Sequence, residues 1–410
     1  MNINCMSINN LIQISKYCTI KLMNHFAKLI LYFICTSLIL SIPDFCFSNT
    51  IKIGMSLPLS GKYAEMGKMQ NKGIRLWQNH VNENGGLLKQ QVELCLEDDE
   101  SSLDKAKSIY LNHIEKKKVD LIIGPYSSGI SEAILPIIEK YRYPTLLSGA
   151  SADKLWEKGY KYAFGVYTPA SKYTVGFLQM LAKNRLKDIA IISADDTFSL
   201  TLAENTEKWA RRFKLNIVYL KYFEKDKEVD YAEIGSVLKQ LQPEAIVLCG
   251  HLNESVLMAK TLKRVKWYPK AYYASVGPAM KKYSDILGTD AELSFSSSQW
   301  EEKVGIKYPS GKKFINSFFR LYNEHPSYHA ATAYGGGMIL EEAILKAGSI
   351  NHEVLRETLL HMDTMTLIGR YGVDKYGKQK RHFPLIIQWQ KGKKEVVWPD
   401  EIKTSNPVFN

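Results

Sequence analysis

Residues 119 to 129 read VDLIIGPYSSG. The run from Val119 to Ile123 is apolar but for one aspartate and rich in β-branched residues, the pattern of a strand buried on both faces. Gly124-Pro125 stops it. Ser127, Ser128 and Gly129 then fall where a helix over residues 128–140 would begin. A helix N-terminus offers unpaired N–H groups and a partial positive charge. Two hydroxyls beside them suit a small carboxylate or another anion. The same serines also suit a plain N-cap.

Working outward, the pattern repeats. Residues 51–57 read as a strand, 58–67 as a loop with turn formers at both ends, and Ile74, Trp77 and Val81 as one face of a helix. Val92, Leu94 and Leu96 alternate as a strand, and Leu103, Ala106, Tyr110 and Ile114 stripe a helix. Strands follow at 119–123 and 144–147, with Pro136 expected to kink the helix between them. A second series has strands at 188–193, 216–222, 245–249 and 271–274, with helices between. This βαβα order, given twice, predicts two parallel sheets with helices on both faces. Ligands of such sheets bind beyond the carboxyl ends of strands. The candidate loops are therefore 58–67, 124–129, 148–153, 194–199, 250–254 and 275–278.

A chain of 410 residues exceeds one compact core, so two domains are expected. The net charge of +12 comes from lysines scattered among acids, which reads as a solvated face rather than a nucleic-acid surface. The first 48 residues stand apart. Lys21 and Lys28 precede an apolar run over 29–42, and Cys46-Phe47-Ser48 offers small residues at the positions a signal peptidase inspects. This reads as a cleavable secretion signal over residues 1–48, with an extracytoplasmic, periplasmic mature chain. No later stretch is long enough to span a membrane. Cys5, Cys18, Cys35 and Cys46 would leave with the signal; Cys95 and Cys249 remain as free thiols inside strands.

Five segments carry a resemblance to a known family: IKIGMSLPLSGKYAEMG (51–67), VNENGGLLKQQVELCLEDDES (81–101), LIIGPYSSG (121–129), PTLLSGASADKL (144–155) and YGVDKYGKQKRHFPLIIQWQKG (371–392). Together they resemble the type I periplasmic binding proteins, in particular the branched-chain amino-acid-binding (Leu/Ile/Val) type that serves ABC transporters. The resemblance implies an α/β fold of two doubly wound parallel-sheet lobes joined by three crossover hinge segments, near residues 164–169, 295–300 and 367–372. Lobe 1 would hold 49–166 plus 298–368, and lobe 2 would hold 167–297 plus 369–410. It also implies a small-molecule ligand caught in the cleft, an ABC transporter permease as partner, a monomer, and no cofactor or metal.

Carried over residue by residue, the resemblance makes Ser128 the holder of a ligand carboxylate, with Ser127 beside it. Ser151 would bond carboxylate and amine, and the Gly149 carbonyl would take the amine. Met66 matches a pocket position that is often aromatic. Phe198 matches a pocket tyrosine and lacks its hydroxyl. His251 falls where another pocket aromatic is expected, and Tyr126 and Trp300 are candidate cleft walls. The acid that pairs with a ligand ammonium in these binders aligns near Val276, and valine cannot do that work. Asp195, Asp196 and Glu254 are the substitutes within reach in sequence, and each reads equally well as a surface group. The expected ligand is therefore a small molecule with one carboxylate or amide end and an apolar body.

Catalysis is not expected. Gly335-Gly336-Gly337 lies inside a helical pattern and lacks the Lys-Ser/Thr of a phosphate loop. His325 and His329 are four apart, but Pro326 lies between them and no acid completes a zinc motif. The rival to transport is a ligand-sensing binding protein that feeds a receptor or sensor kinase.

Overall fold

The computed structural model describes residues 50–224 and 228–410. The expected secretion signal and its four cysteines lie outside the described residues. The first βα series runs β1 (Thr50–Leu57), α1 (Ala64–Glu83), β2 (Gln91–Asp98), α2 (Leu103–Leu111), β3 (Leu121–Ile123), α3 (Ser128–Tyr141), β4 (Thr145–Leu147) and β5 (Ala163–Gly165). Its strands form one parallel sheet in the order β2-β1-β3-β4-β5. The second series runs α4 (Val175–Lys183), β6 (Asp188–Ala194), α5 (Thr197–Arg212), β7 (Asn216–Phe223), α6 (Tyr231–Leu241), β8 (Ala245–Cys249), α7 (Leu252–Arg264), β9 (Ala271–Ala274), α8 (Lys281–Leu287) and β10 (Ser294–Ser298). Then come α9 (Glu302–Gly305), α10 (Gly311–Tyr322), α11 (Tyr328–Ala347), α12 (His352–His361), β11 (Thr364–Thr366), β12 (Gly369–Tyr371), β13 (Leu385–Gln390) and β14 (Lys393–Trp398).

The second sheet has the order β14-β13-β10-β9-β8-β6-β7. Its five strands from β10 to β7 are parallel, whereas β13 and β14 join antiparallel. The two parallel sheets expected from the sequence are present, and this antiparallel pair is added at the edge of the second. A tight turn at Lys391-Gly392 brings the chain straight back, and a hairpin can only add strands antiparallel. Each parallel set has the order second-first-third-fourth-fifth. The strand order therefore reverses between β1 and β3 in one sheet and between β6 and β8 in the other. Crevices open at such switch points, beyond the carboxyl ends of the strands.

The chain passes between the sheets three times: after Gly165, after Ser298, and between Tyr371 and Leu385. The second passage returns it to α11, which packs on α1. That contact depends on Gly73, where an added Cβ would sit 2.0 Å from the Ala330 carbonyl oxygen. Among the elements absent from the sequence reading, two lie at the first passage. The short strand β5 occupies part of the segment read as the first crossing, and α4 follows it. Pro136 lies inside α3, and the helix continues past it to Tyr141. Cys95 and Cys249 are both free, and burial pushes both thiols up. Among the described residues no helix is long and apolar enough to cross a membrane.

Candidate functional site

The carboxyl ends of the two sheets face each other. Thr197 Oγ1, at the start of α5, donates to Glu132 Oε2 of α3 at 3.1 Å, so the two lobes touch across the cleft. The Tyr63 and His251 rings, one from each side, lie 4.9 Å apart. Between the lobes is a cavity of about 20 Å³, lined by Tyr126, Ser127, Ser128, Gly149, Ser151, Phe198, His251 and Val276, and also by Tyr167, Tyr173 and Tyr328. That is room for about one water. A ligand the size of an amino acid enters only if the lobes part or the rings turn.

Ser128 is the first helical residue of α3, and its hydroxyl oxygen accepts from the backbone N–H groups of Ser151 and Ala152 at 3.2 and 3.1 Å. Both acceptances leave its O–H proton to be donated elsewhere. Ser127 is the N-cap, with its Oγ accepting from Ile130 N–H at 3.3 Å. Its φ of +80° and ψ of +146° lie in a region that glycine alone adopts freely. Strain of this kind costs on the order of 1–3 kcal/mol and gathers at functional sites. The Ser127 N–H donates to the Gly149 carbonyl at 3.1 Å, so that carbonyl already has one partner. Gly149 has no room for a side chain, since an added Cβ would lie 2.8 Å from Tyr126 Cα.

The wall from the second lobe carries no carboxylate. Val276 lines the cavity just beyond the end of β9. Asp196 is buried but serves as the N-cap of α5, accepting from the N–H groups of Phe198 and Ser199 and from the Ser199 hydroxyl. The Nε2 of His251, which lines the cavity, lies 3.4 Å from Asp196 Oδ1. Glu254 is turned to the backbone, accepting from the His251 N–H at 2.9 Å. Asp195 is exposed.

Two sequence candidates lie elsewhere. Met66 belongs to the buried stripe of α1 with Gln70, Gly73, Ile74 and Trp77, so helical periodicity turns it into the lobe core. Trp300 packs against Phe314 behind the hinge and lines a different cavity. The sequence reading missed the three tyrosines. The Tyr173 hydroxyl accepts from Gln299 Nε2 at 2.6 Å, and the Tyr167 hydroxyl accepts from Thr332 Oγ1 at 3.1 Å. Tyr328 stacks on His329 at 3.9 Å, and His329 meets Tyr126 edge-on at 5.4 Å.

The periplasmic binding protein family model matches residues 50–394, most of the chain. The chain belongs to the periplasmic binding protein family. This binding protein is 24% identical over 374 residues to "Leu/Ile/Val-binding protein homolog 7" of Brucella suis, covering 86% of this chain and 92% of that one. Its fold matches the leucine binding protein of Thermotoga maritima with a TM-score of 0.78 at 22% identity, over 86% of this chain and 99% of that one. It also matches an ABC-transporter solute binding protein of R. palustris, solved with benzoate, with a TM-score of 0.76 at 17% identity, over 88% and 97%. This binding protein has the type I fold, and its family is one of solute-binding proteins, not of enzymes.

Its site should be sensitive to acid. Burial, with His251 and Lys394 adding to it, holds the His329 imidazole down to about 3. Burial likewise holds His382 down to about 4. Each ring folds neutral and would take a proton near 6.5 once unfolded. The stability each confers is complete above about pH 6.5 and is lost as the pH falls toward its folded value. From pH 6.5 to 5, His329 alone should cost about 2 kcal/mol. We expect His329→Phe to flatten the fall in urea midpoint over that range, leaving the shares of His382, His113 and His80, whose imidazoles burial also holds down. An unchanged slope would mean that acid attacks elsewhere.

Proposed function

We propose that this protein captures a small extracytoplasmic ligand, with a carboxylate or amide end and an apolar body, and delivers it to an ABC importer. Lobe 1 is residues 49–166 plus 298–368 and lobe 2 is residues 167–297 plus 369–410, with the ligand closed between them. Residues 1–48 direct secretion and are removed. The single observation that carries the ligand class is the cavity wall. It holds serine hydroxyls at a helix N-terminus on one side, and Phe198, His251 and Val276 without a carboxylate on the other.

The carboxylate end meets Ser128, Ser127 and Ser151, where the first N–H groups of α3 favour negative charge. Tyr126 and Phe198 enclose the apolar body. A free ammonium buried beside Val276 would go unpaired, and an unpaired buried charge is expensive. The benzoate complex of the R. palustris relative supports a ring-bearing carboxylate as one member of the class. Binding energy drives lobe closure, and a transporter reads the closed shape.

The test is a thermal-shift panel on refolded, ligand-stripped protein, with amino acids, short amides, urea, and aliphatic and aromatic carboxylates. Ligand at 100 times its Kd stabilises by about 2.7 kcal/mol, a shift of several degrees at this size. Shifts confined to carboxylates or amides support the reading. A shift with leucine, isoleucine or valine as large as with any carboxylate overturns the ligand class. No shift with any compound counts against capture of this chemistry.

A further inference from the structure

A space larger than the cleft cavity lies elsewhere in the molecule. Behind the hinge lies a cavity of about 380 Å³, within the range of sites that take small organic molecules. The cleft cavity, by contrast, holds about 20 Å³. The walls behind the hinge come from the second passage at residues 299–301, from residues 365–370 and 381–385 on either side of the third, and from residues 398–402 after β14. Trp300, Ile368, Leu385 and Trp398 make it apolar and aromatic. Phe383 and Met365 are also part of its lining, and both are well exposed, at 61% and 45%. The buried Trp300 indole N–H has no hydrogen-bond partner among the described residues.

The lining also carries charge of one sign in excess. Arg370 and Arg381 both belong to it. They share one carboxylate. Arg370 Nε and Nη2 donate to Asp363 at 2.6 and 2.8 Å, and Arg381 Nε lies 3.5 Å from the same group. Two guanidiniums and one carboxylate leave a net positive charge. Glu301, the acid of the lining, is paired with Lys394 at 3.1 Å.

We propose that the hinge cavity is a second small-molecule site, which takes an apolar organic anion bearing a ring. The ring lies among Trp300, Ile368 and Trp398, and the anionic end faces Arg370 and Arg381. A guanidinium fork suits a carboxylate or sulfonate, and an aromatic wall suits the ring. The site touches the two passages that must bend when the lobes part, so its occupant biases the opening equilibrium by its differential affinity for the two states.

The test uses the aromatic sulfonate 8-anilinonaphthalene-1-sulfonate as the probe, titrated into folded mature protein and read by its fluorescence. Four proteins are compared: the parent, Arg381→Glu, Ile402→Trp and Val276→Trp. Arg381→Glu reverses the charge at the lining, Ile402→Trp fills the hinge cavity from its half-exposed side, and Val276→Trp blocks the cleft. Saturable binding is expected in the parent and in Val276→Trp. Arg381→Glu and Ile402→Trp should each weaken it tenfold or more, with circular dichroism and Tm close to the parent. A fifth protein, Arg381→Lys, should keep part of the affinity, which checks folding and charge together. Loss in Val276→Trp with retention in Arg381→Glu would put the probe in the cleft and overturn the proposal. So would equal binding in all four proteins, or none at millimolar probe.

Discussion

Replacing Ser128 by alanine is expected to weaken ligand binding by about 10- to 150-fold, the effect of removing a hydrogen bond of about 1.5–3 kcal/mol to a charged group. The hydroxyl has two tasks. It accepts from the N–H groups of Ser151 and Ala152, which fixes the loop after β4 against the start of α3. Its remaining proton is then aimed by those two acceptances rather than free to rotate, and in the proposed complex a carboxylate in the cavity would receive it. Alanine removes both at once. The two orphaned N–H groups should also lower stability by about 1–3 kcal/mol each if no water replaces the hydroxyl. Calorimetric titration of the best carboxylate from the panel measures the first effect, and urea denaturation of the ligand-free protein measures the second. Ser127→Ala is the comparison. It loses a cap bond of 3.3 Å and should cost about 1 kcal/mol of stability with much less affinity. Equal losses of affinity in the two variants would mean that the helix terminus, not the Ser128 hydroxyl, holds the anion.

The residues that meet at the cavity were legible in the sequence for a physical reason. Ser127, Ser128, Gly149, Ser151, Phe198, His251 and Val276 each follow a short apolar run directly. A parallel strand fixes which end its following loop occupies, so strand recognition alone gathers these loops. Tyr167, Tyr173 and Tyr328 come from other places, the first passage and the start of α11. Nothing local marks them among 24 tyrosines. Only the passage of the chain between lobes brings them in. His329 was seen as half of a failed zinc pair, whereas its role in the fold is to stack on Tyr328. Met66 and Trp300 show the opposite failure. Met66 lies in a candidate loop and Trp300 in an expected hinge segment, but one turn of α1 rotates Met66 into the core. Trp300 turns away because its ring packs against Gly305, where an added Cβ would fall 1.8 Å from the indole nitrogen. Local periodicity states which residues share a face; it does not state which side of a hinge a face will meet.

The substitution Val276→Asp should convert the site from rejecting to accepting an α-amino acid. In the parent, the second-lobe wall offers an ammonium Val276, His251 and the rings of Phe198, Tyr167 and Tyr173 but no carboxylate, and the Asp196 carboxylate near His251 is engaged with the cap of α5. Recruiting Asp196 would break that cap, so leucine should shift the parent Tm less than a carboxylate of the same body. An aspartate at the end of β9 would sit on the cavity wall. A carboxylate about 4 Å from an ammonium gains about 4 kcal/mol at an effective dielectric of 20. Even a fraction of that, after desolvation, should move the leucine-to-carboxylate preference by about 30-fold or more. Without ligand the same carboxylate is buried among tyrosines, so the variant should be less stable than the parent and should recover on adding leucine. Val276→Asn supplies the shape without the charge and should leave the preference near that of the parent. Titration of leucine and of its deaminated analogue into all three proteins decides the matter. If the parent already prefers leucine and Val276→Asp changes nothing, the ammonium has another partner, and the valine is only a wall.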